Sequence, residues 1–130
     1  MKCLLIDTNV LIDILEKGKP FSMAFAKYDR LLIQPTVLGE YRAGLDATKR
    51  GRSMLEKLLA YLRKVTVDVV PVTERTAELY AKVYQALRAA GTPIPQNDMW
   101  IAASALEHAA DLATHDEHFQ HVPMLTVIIP

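Results

Sequence analysis

The sequence predicts an α/β fold in which helices cover both faces of a parallel β-sheet. Short apolar runs typical of strands alternate with amphipathic segments along the whole chain, which is characteristic of parallel sheets. The 130 residues, of which 51% are apolar and 23% are charged, suit one compact domain. No linker or internal repeat interrupts the pattern, so we expect residues 1–130 to form a single domain.

The first predicted strand is the apolar run at residues 4–6. Residues 7–9, Asp-Thr-Asn, all favour helix N-caps, so we expect the strand to pass directly into a helix. Apolar residues then recur at helical spacing, and this helix is expected to end near Gly18. Pro20 is predicted to open a second short helix that continues to about Tyr28.

The middle of the chain repeats the alternation. Residues 31–33 form the second predicted strand, and a helix is expected to begin at Pro35. A further amphipathic helix spans about residues 51–64. Residues 65–70 are rich in β-branched side chains and end before Pro71, which predicts a third strand.

Helix caps mark the next long helix. Thr73, with Thr76 three residues later, is expected to open it, and Gly91 is expected to close it after Ala90.

The C-terminal part contains one more helix and two short strands. Asn97 is predicted to cap a helix over about residues 98–110, followed by a weak strand at residues 111–114. Residues 115–121 are expected to form a loop or a helical turn, and residues 125–129 the last strand.

The composition excludes several classes of protein. The single cysteine, Cys3, rules out an intrachain disulfide and a Cys₄ or Cys₂His₂ zinc site. The longest apolar runs are far shorter than the roughly 18 residues of a membrane span. The apolar run at the N-terminus is also shorter than the about 7–15 residues of a signal peptide. We therefore expect a cytoplasmic protein that does not contact a membrane.

The net charge is zero, but the charges are distributed unevenly. Residues 1–64 contain twelve Lys or Arg and seven Asp or Glu, whereas residues 65–130 contain three and eight. Residues 42–64 hold the densest group of basic side chains. This segment could be the solvated face of two helices, or it could attract a polyanion.

Three aspartates are predicted to meet at one edge of the sheet. Asp7 ends the first strand, Asp116 follows the fourth, and Asp98 opens the helix before the fourth strand. In open parallel sheets, functional groups gather at the carboxyl ends of the strands. Glu40 lies on the helix after the second strand, beside its apolar stripe.

Each of these acids also has an ordinary structural explanation. Asp7 and Asp98 could cap helices, Asp116 could belong to a turn, and Glu40 could form a surface ion pair. Together, however, neighbouring carboxylates repel one another unless a positive group lies among them. A hard divalent cation, Mg²⁺ or Mn²⁺, is the expected counter-ion for such an oxygen-rich set.

Other phosphate and hydrolase chemistries are less consistent with the sequence. A histidine-rich phosphohydrolase needs its His-Asp pair on a helix, whereas the pair here, His115 and Asp116, follows a short strand. A phosphatase of the HAD type would need a second Asp in place of Asn9, two residues after Asp7. No G-x-S-x-G or Gly-rich phosphate loop occurs. We expect His115 and His118 to be polar loop residues and His108 to lie on a helix surface.

Four segments resemble the motifs of PIN-domain ribonucleases. Residues 5–13 resemble the opening motif, residues 95–103 the third-acid motif and residues 112–119 the fourth, and Glu40 within residues 38–44 matches the remaining acid. In order, spacing and length, essentially the whole chain is similar to single-domain VapC-type toxins.

The resemblance implies a three-layer α/β/α sandwich with a parallel five-stranded sheet. It also implies an Mg²⁺- or Mn²⁺-dependent endoribonuclease, a homodimer, and an antitoxin whose tail covers the active site. Residues 36–61 would form a helical pair beside the cleft. Two departures from the pattern, His115 and the bulky Trp100, could alter the choice of RNA substrate.

The resemblance also implies roles for individual residues. Asp7, Asp98 and Asp116 would ligate one or two cations. Glu40 would orient or deprotonate the attacking water, or join the metal shell through a water. Hydrogen bonds would hold these acids in place from three neighbouring residues: Thr8, Asn9 and Thr114. Four basic side chains are candidates for RNA phosphate contacts: Arg42, Lys49, Arg50 and Arg52.

Two alternatives to a toxin stay open at this point. The chain could be a housekeeping RNA-processing nuclease of the same fold that has no antitoxin. It could also be a non-catalytic PIN-like module that binds RNA or protein, although such a module would be expected to have lost some of the four acids.

Overall fold

The computed structural model describes residues 1–18 and 25–130. In these ranges the chain forms five strands, five α-helices and one 3₁₀ helix. In chain order they are β1 (Cys3–Ile6), α1 (Thr8–Glu16), β2 (Arg30–Ile33), α2 (Pro35–Ala43), α3 (Lys49–Leu62), β3 (Val67–Val69), α4 (Glu74–Ala90), α5 (Gln96–Glu107), β4 (Asp111–Ala113), the 3₁₀ helix (Glu117–His121) and β5 (Val127–Ile128).

The five strands form one parallel sheet in the order β3-β2-β1-β4-β5. The first strand lies at the centre, where Leu5 pairs with Leu32 on one side and Leu112 on the other. Leu4 and Leu5 are fully buried, as expected for a strand covered on both faces. Because the chain runs from β1 towards β3 and then returns to β4, the crevice between β1 and β4 is a topological switch point, where such sheets bind ligands.

Helices cover both faces of this sheet, which confirms the predicted three-layer α/β/α sandwich. Right-handed connections place α1, α2 and α3 on one face and α4 and α5 on the other. Accordingly, α1 contacts both α2 and α3, and α4 packs along α5. The helices bury their apolar faces against the sheet through residues such as Val10, Leu58 and Ile101, all without solvent exposure.

The predicted caps of α4 are confirmed. The hydroxyl of Thr73 accepts a hydrogen bond from the Thr76 backbone N–H, and the Thr76 side chain bonds back to Thr73, forming a capping box. At the other end, Gly91 adopts a left-handed conformation with φ of 71°, which ends the helix at little steric cost.

The predicted cap of α5 was wrong. The helix begins at Gln96, two residues earlier than expected, so Asn97 and Asp98 both lie within its first turn. Asn97 does not cap the helix because its side-chain amide is bonded to a carboxylate on α2. The helix also ends at Glu107 rather than near residue 110, since Ala109 takes a positive φ of 50° to turn the chain into β4.

The remaining differences concern the edge strands and one helix. β3 and β5 are shorter than predicted, because each pairs with a neighbour on one side only and frays sooner. The helix predicted to begin at Pro20 falls mainly on residues 19–24, which lie outside the described residues. Its predicted end, residues 25–28, forms a turn.

Within the described ranges, no helix combines the length and the apolar character needed to cross a bilayer.

Two glycines provide a matched test of the packing around α3. A Cβ atom on Gly51 would lie 2.1 Å from the backbone oxygen of Asp46, whereas a Cβ on Gly39 in α2 would meet nothing within 4 Å. We expect Gly51→Ala to lower the free energy of unfolding by about 1–3 kcal/mol. We expect Gly39→Ala to raise it by up to about 1 kcal/mol through helix propensity.

Chemical denaturation of the two variants checks this pair of expectations. If both substitutions changed the free energy of unfolding equally, the loop before α3 would have to move away from a Cβ at position 51 without cost, and the expectation would be wrong.

Candidate functional site

The carboxyl end of β1 places Asp7 in the crevice between β1 and β4. Its side chain caps α1 by accepting a hydrogen bond from the Thr8 backbone N–H at 2.8 Å. Its second oxygen, Oδ2, accepts a hydrogen bond from the Thr114 hydroxyl at 2.7 Å. Asp7 is 3% exposed, so it is a buried acid whose two oxygens are held by neutral donors from the start of α1 and from the residue after β4. Asp7 is therefore both the N-cap of α1 and an acid at the switch point.

Asn9 and Thr114 connect Asp7 to Asp116. The Asn9 amide nitrogen lies 3.4 Å from Asp7 Oδ2 and 3.5 Å from Asp116 Oδ2. The Asp116 backbone N–H donates to the Thr114 hydroxyl at 3.0 Å, and the His115 backbone N–H donates to the Asn9 side-chain oxygen at 3.0 Å. These bonds hold the loop after β4 against the start of α1, which brings Asp7 and Asp116 close together.

Asp98 enters the same crevice from the first turn of α5. It is 8% exposed, and His118 Nε2 from the 3₁₀ helix lies 2.9 Å from its Oδ2 atom. Among residues 1–18 and 25–130, Asp98, Asp116 and His118 form the group of potential metal ligands whose donor atoms all lie within 4.8 Å of one another. Asp7 does not belong to that tight group, although its charge interacts with both aspartates.

Glu40 approaches the cluster from α2 and is exposed. The Thr8 hydroxyl donates to its Oε1 atom at 2.9 Å, and the Asn97 amide donates to its Oε2 atom at 2.7 Å. Both carboxylate oxygens are therefore held by neutral groups from α1 and α5. The side chain is oriented towards the acids rather than paired with a surface base.

The electrostatics of the cluster favour a positive partner. Burial raises the pKa of Asp98 to about 6, the charges of Asp7 and Glu40 act in the same direction, and His118 opposes them. Burial also raises the pKa of Asp7, against the opposing hydrogen bonds from Thr114 and Thr8. In the described part of the chain, none of the ion pairs of Lys or Arg includes any of the four acids.

The structure corrects the interpretation of three histidines. His118 is not a simple polar loop residue, since its ring bonds Asp98. His115 is bonded through Nε2 to the buried Asp13 at 2.6 Å. His108 caps the end of α5, and its Nε2 atom is buried without a hydrogen-bond partner in the described structure, so it does not lie freely on the helix surface.

Sequence reasoning also missed the contact between Asn97 and Glu40. The two residues belong to different helices, and no local pattern predicts such a pair. The same holds for His118, whose partner Asp98 lies twenty residues earlier.

The four predicted phosphate-contact residues lie on α2 and α3. Arg42 and Lys49 are exposed. Arg50 forms an ion pair with Glu16 at 3.2 Å, and Arg52 donates to the Ala47 carbonyl oxygen at 2.6 Å. The first turn of α3 contains basic residues and no acid, although Glu16 and Asp46 from outside the helix both interact with Arg50.

Comparisons with known proteins agree on one family. The PIN domain family matches residues 4–125. The protein named Ribonuclease VapC4 from Mycobacterium tuberculosis is 31% identical over 124 residues, which cover 95% of this chain and 94% of that protein. Ribonuclease VapC from Rickettsia bellii is 30% identical over 128 residues, covering 96% and 94%.

A solved structure shows the same similarity. VapBC-5 from Mycobacterium tuberculosis, described as a member of the VapBC family of toxin-antitoxin systems, superposes with a TM-score of 0.73 at 26% identity. The superposition covers 99% of this chain and 98% of that one.

The raised pKa of Asp98 leads to a prediction for the metal-free protein. An unfolded aspartate has a pKa of about 3.9, so the folded state binds more protons than the unfolded state between about pH 4 and pH 6. The free energy of unfolding should therefore rise as the pH falls from about 7 to about 5, by about 1–2 kcal/mol. Denaturant unfolding in the presence of a chelator measures this change.

Two variants assign the effect to its source. Asp98→Asn should flatten the dependence, whereas Asp29→Asn, which alters an exposed acid away from the cluster, should preserve it. An unaltered slope in Asp98→Asn would contradict the assignment.

Proposed function

Because the chain belongs to the PIN-domain family, and within it to the VapC type, we propose that it is a metal-dependent endoribonuclease that hydrolyses RNA phosphodiester bonds. One observation carries the proposal. Asp7, Asp98 and Asp116, with Glu40 beside them, meet at the β1–β4 switch point and are held there by hydroxyl, amide and imidazole groups. We further propose that residues 1–130 act as one PIN domain.

The donor atoms of this cluster fit a divalent cation. Asp7, Asp98 and Asp116 would hold Mg²⁺ or Mn²⁺ through carboxylate oxygens, the ligands that these ions prefer. The raised pKa values of Asp7 and Asp98 support the assignment, because a bound cation would offset the cost of ionising both acids. Bound there, the ion would supply an acidified water and positive charge for the scissile phosphate.

Glu40 is the proposed proton acceptor. Thr8 and Asn97 fix both of its oxygens, so a lone pair can be directed at a water that attacks the phosphorus atom. Its exposure lets substrate approach from the solvent side, whereas Asp7 and Asp98 lie deeper in the crevice. This division gives Glu40 a proton-transfer role and gives the buried aspartates a metal-binding role.

The hydrogen-bonding residues of the site have a positioning role. Asn9 and Thr114 align Asp7 with Asp116, and Thr8 aligns Asp7 with Glu40. Each is a neutral donor, so together they bring carboxylates within reach of one ion without cancelling the charge that would attract it.

RNA and a protein antitoxin are the proposed partners. We propose that Arg42, Lys49, Arg50 and Arg52 attract RNA phosphates towards the cleft. The VapBC-5 structure is described as a member of a toxin-antitoxin family. By analogy, we propose that this chain is the cytoplasmic toxin of such a pair, forms a homodimer and binds a cognate antitoxin. A nuclease without any antitoxin would instead be an RNA-processing enzyme.

The proposed activity is tested by incubating purified protein with RNA in Mg²⁺, in Mn²⁺ and in chelator. Cleavage should require a divalent cation, and Asp98→Asn and Asp116→Asn should each reduce it by at least about 100-fold. Glu40→Gln should lower kcat by about 10²–10⁴-fold, because it removes a proton acceptor.

Glu117→Gln is the matched control for these variants. It removes an exposed acid next to Asp116, in the first turn of the 3₁₀ helix, and should leave cleavage unchanged. Specific cleavage that persists in chelator would refute the metal mechanism, and RNA binding without any cleavage would favour the non-catalytic module.

The proposed phosphate contacts are tested in an Asp98→Asn background, where RNA stays intact. Lys49→Ala should weaken RNA binding and reduce the slope of log K against log salt by about 0.7, the value for one lost contact to a single strand. Lys82→Ala removes an exposed lysine from α4, on the opposite face of the sheet, and should change neither quantity. If both variants weakened RNA binding equally, the overall charge of the protein, and not a contact at Lys49, would account for the attraction.

A further inference from the structure

His118 lies where a ligand of the metal would lie. Its Nε2 atom is 2.9 Å from Asp98 Oδ2. Two neighbouring ligands on one octahedral ion, each about 2.1–2.2 Å from the metal, are about 3 Å apart. The donor atoms of His118, Asp98 and Asp116 also lie within 4.8 Å of one another, so one ion can reach all three.

The fold holds the His118 ring in this position. His118 belongs to the short 3₁₀ helix whose N-cap is Asp116, so the two side chains lie on one continuous local element. Its neighbour Phe119 is fully buried and fixes this helix in the core, and the two rings lie 4.8 Å apart between centroids. The His118 side chain is 33% exposed and the Asp98 side chain 11%. The ring therefore lies on the solvent side of a buried carboxylate, where an ion from solution would reach both groups.

From this geometry we infer that His118 is a nitrogen ligand of the divalent cation, together with Asp98 and Asp116, and that it makes the site prefer Mn²⁺ to Mg²⁺. The inference rests on the proposed metal-dependent function. Carboxylate oxygens accept either ion, but imidazole nitrogen binds transition-metal ions much better than Mg²⁺, which keeps oxygen ligands and several waters.

A different role for His118 makes a different prediction. If its ring only donates a hydrogen bond to Asp98, it orients an oxygen ligand and affects both ions alike. The ratio of Mn²⁺ to Mg²⁺ affinity therefore separates ligation from positioning, and it does so without any measurement of RNA cleavage.

The experiment compares untagged wild-type protein with His118→Gln and His121→Gln. Glutamine at position 118 keeps an amide donor near the position of Nε2, so the hydrogen bond to Asp98 can survive while the imidazole ligand is lost. His121 lies in the same 3₁₀ helix, is exposed and is outside the Asp98–Asp116–His118 group, which makes it the matched control. Circular dichroism establishes that each variant is folded.

Metal affinities and pulsed electron paramagnetic resonance provide the readouts. Titration with Mn²⁺, followed by competition with Mg²⁺, gives both dissociation constants. In His118→Gln we expect Mn²⁺ affinity to fall about 10–100-fold and Mg²⁺ affinity to change far less. Bound Mn²⁺ should show a ¹⁴N coupling from imidazole in the wild type and in His121→Gln, but not in His118→Gln.

The outcomes distinguish this inference from the proposed function. Mn²⁺ binding without a ¹⁴N coupling, or a parallel loss of both affinities in His118→Gln, would overturn the inference and leave the metal-dependent nuclease intact. If neither ion bound the wild type more tightly than it bound Asp98→Asn, the proposed metal centre would fail, and the inference would fail with it.

Discussion

The cost of ionising carboxylates that lie close together, two of them buried, is the constraint around which this molecule is organised. The strand order puts β1 at the centre of the sheet, so the residue after it, Asp7, has strands on both sides and helices above and below. Asp98 and Asp116 approach the same crevice from α5 and from the loop after β4. Ionising these acids together is costly, which is why burial and neighbouring charge raise the pKa of both Asp7 and Asp98.

The groups that hold the acids are hydroxyls, amides and one imidazole. A lysine or arginine among them would cancel the negative charge and occupy the space of an ion. Thr8, Asn9, Asn97 and Thr114 instead donate hydrogen bonds to individual carboxylate oxygens and preserve the charge of the cluster. Under the proposed function, a bound cation would offset the cost of ionising these acids, so metal binding would also stabilise the folded state.

Much of the fold could be predicted from local sequence, because its signals lie within a few residues. The Asp-Thr-Asn sequence after an apolar run indicated a strand that passes into a capped helix, and Thr73 with Gly91 marked both ends of α4. The three aspartates could be located because parallel strands share a carboxyl edge. Asn97 was misassigned as a cap because the partner that engages it, Glu40, is 57 residues away. His118 was overlooked for the same reason, since only tertiary packing brings it to Asp98.

The attachment of Glu40 has a consequence for control of the enzyme. Its carboxylate is on α2, but the two groups that orient it are Thr8 on α1 and Asn97 on α5. The proposed proton acceptor is thus aligned by contacts between three separate helices, whereas the groups that hydrogen-bond Asp98 and Asp116 lie outside α2. Under the proposed function, a displacement of α2 would misalign Glu40 without breaking the hydrogen bonds of Asp98 or Asp116, so loss of hydrolysis would not require loss of the cation.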